Sequence, residues 1–252
     1  AGLRPFLVAG TAGTVDAGAV DDLHALADIA QAEDMTFHVD GAFGALAVLS
    51  PELAPRVAGI ERCDSLAFDF HKWGQVPYDA GFLLVRDGAM HKAAFAADAP
   101  YLQRSDRGIA AGDWWPCDYG PDLSRGFRAL KTWFTLKTYG ADAIGAVVAQ
   151  TCTLARGLAA RVKAEPELEL LAPVALNVVC FGYRAPATQD ADRLNAEIVI
   201  DLHEAGDVAP SATRVNGRTA IRAALVNHRT RQDDIDALVE GVLAHGRRRT
   251  QG

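Results

Sequence analysis

Short apolar segments alternate with a helical repeat over the first 90 residues, and this alternation constrains the fold more than any other feature of the sequence. Residues 4–9, 35–39, 65–68 and 81–85 are strand-sized and mainly apolar. Between the first two, apolar residues recur every three or four positions, which indicates a helix. Buried strands that alternate with helices are typical of a mostly parallel sheet covered on both faces, so we predict an α/β fold.

The pattern changes after this region. Residues 96–122 are rich in proline and glycine, and an irregular segment of this length is usually functional or mobile. Ser124 is placed to cap a helix that ends at Gly140, and a second helix is predicted over 142–164.

The rest of the chain predicts a smaller α+β unit. Strands are predicted over residues 176–183 and 219–225, and helices over residues 190–205 and 233–245. Thr230 is predicted to cap the last helix. We therefore place a domain boundary near residue 140, which gives domains 1–140 and 141–252.

Composition excludes several classes of protein. Half of the 252 residues are hydrophobic and the net charge is −7, whereas a nucleic-acid binder usually carries a basic face. The basic run Arg247–Arg249 is expected to be a solvated tail. No uninterrupted apolar window is long enough for a membrane helix, so we expect neither nucleic acid nor a membrane as a partner. The four cysteines form no C-x-x-C pair, which argues against zinc and favours a reducing, cytoplasmic setting.

Candidate ligand-binding residues follow the predicted strands. Residues 10–14 form a glycine-rich turn that matches neither common nucleotide-binding fingerprint. His38 and Asp40 would point to the same face of their strand, but no third ligand with suitable spacing follows, so we predict no metal site. The carboxyl end of a strand in an open α/β sheet is nevertheless where ligands bind, and this gives Asp40 a functional interpretation.

Lys72 is the second candidate. It follows another predicted strand, next to His71 and between the aromatic residues Phe70 and Trp73. Partial burial disfavours a charged amine, and a neutral amine can react with a carbonyl group. Pyridoxal 5′-phosphate (PLP) needs a lysine at its aldehyde and a carboxylate beside its pyridine nitrogen. Lys72 and Asp40 together therefore suggest this cofactor.

Several ordered motifs strengthen that interpretation. The chain resembles the group II PLP-dependent amino-acid decarboxylases, which include the aromatic-amino-acid, histidine and glutamate decarboxylases. The motifs that carry the resemblance are His38–Gly44, His71–Trp73, Gly13–Thr14 with Asp21–Leu23, Ala99–Leu102, Ser124–Trp133 and Asn177–Phe181. They extend over nearly the whole chain.

The resemblance implies a role for each matching residue. Lys72 would hold the cofactor covalently, and Asp40 would pair with the pyridine nitrogen. Ala42 would lie under the ring, where a small side chain permits close approach. His71 would help to hold cofactor or substrate. Tyr101 matches the catalytic loop tyrosine of the aromatic-amino-acid branch, in which the loop reaches the partner subunit's site.

Two positions near the cofactor depart from the family pattern. Thr14 would contact the cofactor, but the next position is Val15 where many members have a second threonine. Asp69 stands where many members have an asparagine near the phosphate. A carboxylate would repel that phosphate, so Asp69 is expected to bind weakly or to bond a backbone group instead.

The family also implies a fold and a reaction. The implied fold is the aspartate-aminotransferase-like fold type I, and the loop that reaches the partner subunit's site in the aromatic-amino-acid branch implies a homodimer with a shared active site. Relatives are much longer, and the chain begins without Met, so it resembles the C-terminal half of a decarboxylase whose missing half would complete the large domain. The expected reaction is decarboxylation of an L-amino acid, favouring an aromatic one, to an amine and CO₂. Alternatives are an aldehyde synthase or other lyase of this fold, and a non-catalytic fragment that only dimerises or binds a partner; the chain alone is expected to be inactive.

Overall fold

A computed structural model describes residues 2–96, 100–112 and 114–251. Ala99, the first residue of one family motif, lies outside them. The strands are β1 Leu7–Thr11, β2 Thr36–Asp40, β3 Ser65–Asp69, β4 Gly81–Val85, β5 Leu168–Leu170, β6 Val178–Tyr183, β7 Ser211–Val215 and β8 Arg218–Ala224. The α-helices are α1 Leu23–Ala32, α2 Gly88–Phe95, α3 Arg128–Ala164, α4 Ala191–Ala205 and α5 Gln232–Gln251.

The first sheet has the order β1-β2-β3-β4. β1, β2 and β3 are parallel, and Thr11, Asp40 and Ala67 are register partners across them. β4 is antiparallel to β3, because the connection between them is a turn too short for a crossover helix. The predicted α/β architecture is thus confirmed, with one antiparallel strand at its edge.

Alternating burial explains how the first sheet is anchored. Phe37 and Val39 of β2 are buried, and α1 packs its apolar face against the sheet through Leu23 and Ala27. Asp22 caps α1 by accepting a hydrogen bond from the backbone N–H of Ala25 at 3.0 Å. The sheet therefore has a firm core on the α1 face.

The second sheet has the order β5-β6-β8-β7, and all its pairs are antiparallel. Every residue of β6 is buried, and α3, α4 and α5 contribute to the same core. β6 and β8 match the predicted strands within two residues. β5 and β7 were not predicted, because β5 has only three residues and β7 is largely exposed and mixed polar.

α3 crosses the predicted domain boundary. Gly140 interrupts it with φ 80° and ψ 162°, so the predicted helix stop is a kink between two helical segments. The predicted cap at Ser124 is wrong. The Arg125 guanidinium donates to the carbonyls of Pro116 and Asp122, which holds that stretch as a loop until the helix begins at Arg128.

α3 is also, among the described residues, the one helix long and apolar enough to match a membrane span by length and composition. Its second segment supplies Val148 and Cys152 to the core of the first sheet and Leu158 and Val162 to the core of the second. The division into domains 1–140 and 141–252 stays a prediction.

α5 differs from the prediction at both ends. It begins at Gln232, preceded by Arg231 rather than by Thr230 at the cap position, and the backbone N–H of Arg231 donates to Asp234 at 2.8 Å. It extends to Gln251, so the basic run is the last turn of a helix rather than a tail, although Arg247 and Arg248 are exposed. Arg247 pairs with Glu167, and Arg249 pairs with Asp201.

The arginines of this run lower the pKa of the carboxyl groups with which they pair. Arg249 donates to both carboxylate oxygens of Asp201 at 2.6 Å, and this hydrogen bonding lowers the pKa of Asp201. The hydrogen bond from Arg247 lowers the pKa of Glu167 in the same way. A carboxyl group whose pKa is depressed by folding stabilises the fold above its ordinary pKa, and this contribution is lost as the pH falls.

We therefore expect Asp201→Asn to destabilise the protein at pH 7 by about 1 kcal/mol, a small figure because the pair is partly solvated. The difference from wild type should begin to shrink below about pH 4, the ordinary pKa of an aspartic acid in the unfolded chain, and should be lost below the lowered pKa of folded Asp201. Urea unfolding at neutral and acid pH measures this difference in the free energy of unfolding. Glu240→Gln, a substitution at an exposed position of α5, is the control. An equally large difference in acid would contradict this explanation.

Candidate active site

The parallel strands β1, β2 and β3 end at one edge of the first sheet, and a turn follows each of them. Backbone hydrogen bonds tie these turns together. The N–H of Ala12 donates to Asp40 O at 2.8 Å, that of Gly41 to Ala67 O at 2.8 Å, and that of Gly44 to Ala12 O at 2.9 Å. Residues 26 to 32 positions apart in the sequence are thereby fixed next to one another at the position where open α/β sheets bind ligands.

Glycines make the closest of these contacts possible. A Cβ on Gly44 would lie 2.4 Å from Ala12 O and 2.8 Å from Leu176 Cδ1. Gly13 has φ +88°, and a Cβ there would lie 3.1 Å from Gly44 N. The turns after β1 and β2 therefore pack backbone against backbone, with no space for side chains between them.

Asp40 ends β2 with an exposed, oriented carboxylate. Its Oδ1 accepts a hydrogen bond from the backbone N–H of Ala42 at 3.0 Å. Its Oδ2 makes no hydrogen bond to the described residues. Ala42 itself is half-buried immediately beyond the strand end. The carboxylate is thus held by a local turn and keeps one oxygen for a ligand.

Lys72 lies in the turn after β3. Its Nζ is 2.8 Å from Asp69 Oδ2 and 4.9 Å from the centre of the Phe43 ring. The structure brings Lys72, Asp69 and the segment after Asp40 together. The expectation that Asp69 bonds a backbone group is wrong, because its carboxylate instead faces the nearby lysine amine, the stronger electrostatic partner.

His71 has a defined tautomer. The backbone N–H of Ala80 donates to its Nδ1 at 2.9 Å, so a neutral His71 carries its proton on Nε2. Nε2 lies 3.6 Å from Asp69 Oδ2, and the ring packs edge-on against Tyr78. The side chain is largely buried and presents an N–H to the same side as the Lys72 amine.

Thr14 is used within its own turn. Its hydroxyl oxygen accepts from the backbone N–H of Ala19 at 3.0 Å, and its N–H donates to Ala19 O at 2.8 Å. The hydroxyl hydrogen is still available to a ligand. Cofactor contact by Thr14 therefore stays a prediction.

The second sheet contributes a residue that sequence reasoning missed. Arg222, on β8, donates through Nε to Val15 O at 2.8 Å, and its guanidinium carbon is 5.6 Å from the centre of the Phe43 ring. Phe43 thus has cationic groups from Lys72 and Arg222 near its ring. No local motif marks Arg222, because its partner lies 207 residues away.

Cys180 also lies beside this turn, with Sγ 3.1 Å from Asp16 O. Burial raises the pKa of its thiol to about 11, so the thiol is neutral near pH 7. A neutral, buried thiol is a poor nucleophile, and Cys180 has a packing role here.

Tyr101 is separate from this group. It lies on the short helical turn Pro100–Leu102, its side chain is 77% exposed, and it makes no hydrogen bond to the described residues. Its segment is anchored further on by Asp118, which pairs with Arg104 and Lys92. The structure brings Asp40, His71 and Lys72 to one sheet edge but shows no contact between them and Tyr101.

Comparison with known proteins identifies the family. Residues 1–184 match the family described as the pyridoxal-dependent decarboxylase conserved domain. The chain belongs to this family. It is 33% identical to an aromatic-L-amino-acid decarboxylase of Bacillus atrophaeus over 93% of the chain and 49% of the relative. It is also 33% identical to an L-2,4-diaminobutyrate decarboxylase of Rhizobium meliloti, over 96% of the chain and 48% of the relative.

Solved structures agree with this assignment. A structure of Oryza sativa TDC with PLP and tryptamine superposes with a TM-score of 0.88 at 27% identity, over 99% of this chain and 52% of that one. The glutamate decarboxylase domain of a Vibrio parahaemolyticus enzyme superposes with a TM-score of 0.80 at 30% identity. The match covers 97% of this chain and 47% of that one. The predicted fold type I is confirmed. The chain spans about half the length of the relatives that it matches.

Gly44→Ala should destabilise the fold by about 2 kcal/mol or more, because the new Cβ meets the Ala12 backbone rather than a flexible side chain. Gly88→Ala is the matched control, since a Cβ there meets nothing within 4 Å. Urea unfolding followed by tryptophan fluorescence would compare them, and equal midpoints for the two variants would refute the close-packing argument.

Proposed function

We propose that the protein is a PLP-dependent carboxy-lyase that converts an L-amino acid to its amine and CO₂. One observation carries the proposal. The amine of Lys72 and the carboxylate of Asp40 lie at neighbouring ends of parallel strands, in a chain of the pyridoxal-dependent decarboxylase family. The names of the relatives, which include decarboxylases of several amino acids, support it.

The residues at this edge fit PLP. Lys72 offers a half-buried primary amine for the aldehyde, and Asp40 offers an oriented carboxylate for the pyridine nitrogen. Ala42 leaves space for the ring, and His71 and Thr14 offer an N–H and an O–H for polar groups of the cofactor. When bound, the cofactor supplies a ring that accepts the electrons of the bond broken at Cα.

Each residue then has a distinct task. Asp40 keeps a proton on the pyridine nitrogen by its negative charge, which a neutral amide could not do. Asp69 holds the Lys72 amine through their ion pair and faces His71 Nε2. In this position Asp69 acts on the lysine, and we do not assign it a contact with the cofactor phosphate. Tyr101 would deliver the proton that Cα receives once CO₂ has left.

An aromatic amino acid is the proposed substrate class. Tyr101 supports it, since this residue matches the aromatic branch, and so do relatives such as the Bacillus atrophaeus enzyme. The Rhizobium meliloti relative, a diaminobutyrate decarboxylase at equal identity, makes the assay of several L-amino acids necessary.

An aldehyde synthase is the second candidate. A phenylacetaldehyde synthase of Arabidopsis thaliana is 29% identical over 89% of this chain and 46% of the relative. Tyr101 argues for amine formation, because a loop phenol can protonate Cα before oxygen reacts there. A non-catalytic unit that only dimerises or binds a partner is the third candidate, and borohydride mapping of Lys72 distinguishes it from both enzymes.

We also propose a cytoplasmic homodimer. The exposed position of Tyr101 supports a shared site, since a residue that projects from its own subunit can reach a partner's. The four cysteines are all free thiols, which fits a reducing compartment.

Lys72→Ala should abolish covalent capture of PLP. Wild-type protein incubated with PLP and reduced with borohydride should carry the adduct on Lys72, located by peptide mapping, and the visible absorbance of the bound cofactor should vanish in the variant. Lys163→Ala, at the far end of α3, is the control. An adduct on a different lysine in the wild type would show that the site is misassigned.

Asp40→Asn should leave PLP bound more weakly while reducing turnover by about 100-fold or more, because the amide holds no proton on the pyridine nitrogen by charge. The side chains are nearly equal in size, so the sheet edge should fold normally. Steady-state kinetics alongside the cofactor absorbance measures both effects. Near-normal turnover would make Asp40 a structural residue.

Tyr101→Phe preserves the ring but removes the proton donor. Amine formation should collapse, and reaction with oxygen should give aldehyde, ammonia and peroxide instead. The measurement is the ratio of amine to aldehyde under air, with Tyr139→Phe, another exposed tyrosine, as the control. An unchanged ratio with normal turnover would remove Tyr101 from the mechanism.

A further inference from the structure

Gln75 has an unusual backbone conformation close to Lys72. It lies three residues after the lysine, in the same turn, with φ +56°. This left-handed region is disfavoured for a long side chain, and glycine or asparagine is the usual occupant. Gln75 is nevertheless half-buried and ordered by its own carboxamide.

The carboxamide is bonded at both ends. Its Nε2 donates to Val226 O at 2.7 Å and lies 3.2 Å from Trp73 O. Both neighbours are carbonyl oxygens, which only accept, so they fix the orientation of the amide. Oε1 then accepts from Nδ1 of His228 at 2.9 Å.

These bonds connect distant parts of the chain. Trp73 O belongs to the turn that carries Lys72, whereas Val226 and His228 lie 151 and 153 residues after Gln75, just beyond β8. The same strand carries Arg222, which holds the turn after β1. The Lys72 turn is held from another direction by the buried indole of Trp73, whose N–H donates to Thr151 of α3 at 3.0 Å.

We propose that Gln75 is a positioning residue, whose carboxamide fastens the Lys72 turn to the segment after β8 and so sets where the lysine amine meets a cofactor. This inference rests on the proposed function of Lys72. The cost of the positive φ is offset by hydrogen bonds that join the turn after β3 to the segment after β8. Because covalent capture depends on alignment to within about 1 Å, loosening the turn slows it without removing any reacting group.

Three variants separate the carboxamide from the backbone. Gln75→Glu has the same shape but places an oxygen against Val226 O, and Gln75→Leu has a similar size without hydrogen bonds. Gln75→Gly relieves the positive φ while deleting the side chain. We expect all three to capture PLP on Lys72 about tenfold more slowly than wild type. If backbone strain alone mattered, Gln75→Gly would match or exceed wild type.

His228→Ala is a milder variant, because it removes one bond from an exposed residue and leaves the partly buried bond from Gln75 to Val226 intact. It should slow capture about threefold, and it keeps the test valid if a Gln75 variant does not fold. Arg229→Ala, the exposed neighbour, is the matched control and should behave as wild type.

The experiment uses two readouts on the protein expressed from its own gene. The first is the rate at which cofactor-free protein gains absorbance with PLP, with the adduct mapped after borohydride reduction. The second is hydrogen exchange of residues 72–76 without cofactor, which should be faster in the Gln75 variants. Wild-type capture and unchanged exchange in Gln75→Leu and Gln75→Glu would overturn the inference. A wild-type protein that never captures PLP on Lys72 would instead refute the proposed function, while exchange would still test the fastening.

Discussion

The parallel hydrogen-bonded ladder of β1, β2 and β3 is the constraint on which the site depends. It places Thr11, Asp40 and Ala67 in register, so that the chain leaves all three strands at the same edge. Asp40 ends β2, and the turns that follow the three strands carry Thr14, Ala42, and His71 with Lys72. A slip of one residue in this register would turn Asp40 to the opposite face of the sheet. The chemistry proposed here is therefore a direct consequence of strand pairing.

Strand β8, the segment that follows it and helix α3 support that edge. Arg222 holds the turn after β1, Gln75 reaches the segment after β8, and Trp73 bonds to Thr151 on α3. Each contact joins an end of the first sheet to the part of the chain that follows the Gly140 kink. The lysine is thus fixed by tertiary contacts as well as by the strand that precedes it, which is the arrangement expected of a residue that must meet a ligand in a defined position.

The sequence predicted the principal elements and the two principal residues. Strand-sized apolar runs located the first sheet, and a lysine and an acid at strand ends indicated PLP. Other features had no local signal. Asp69 was expected to bond a backbone group, because a carboxylate would repel the phosphate. Its ion pair with Lys72 has no sequence signal, since it depends on how the turn closes. Arg222 and Gln75 act on residues more than 150 positions away, which spacing cannot reveal. Ser124 matched a helix cap, yet the Arg125 hydrogen bonds delay the helix to Arg128.

The proposed task of this sheet edge is the removal of a carboxyl group. The most direct measurement is to supply L-amino acids labelled with ¹³C at the carboxyl carbon to the PLP-loaded protein, expressed from its own gene. Labelled CO₂ and unlabelled amine should form in equal amounts, with an aromatic amino acid as the best substrate. Retention of the label in every product, from a protein that carries PLP on Lys72, would show that this site does not remove the carboxyl group.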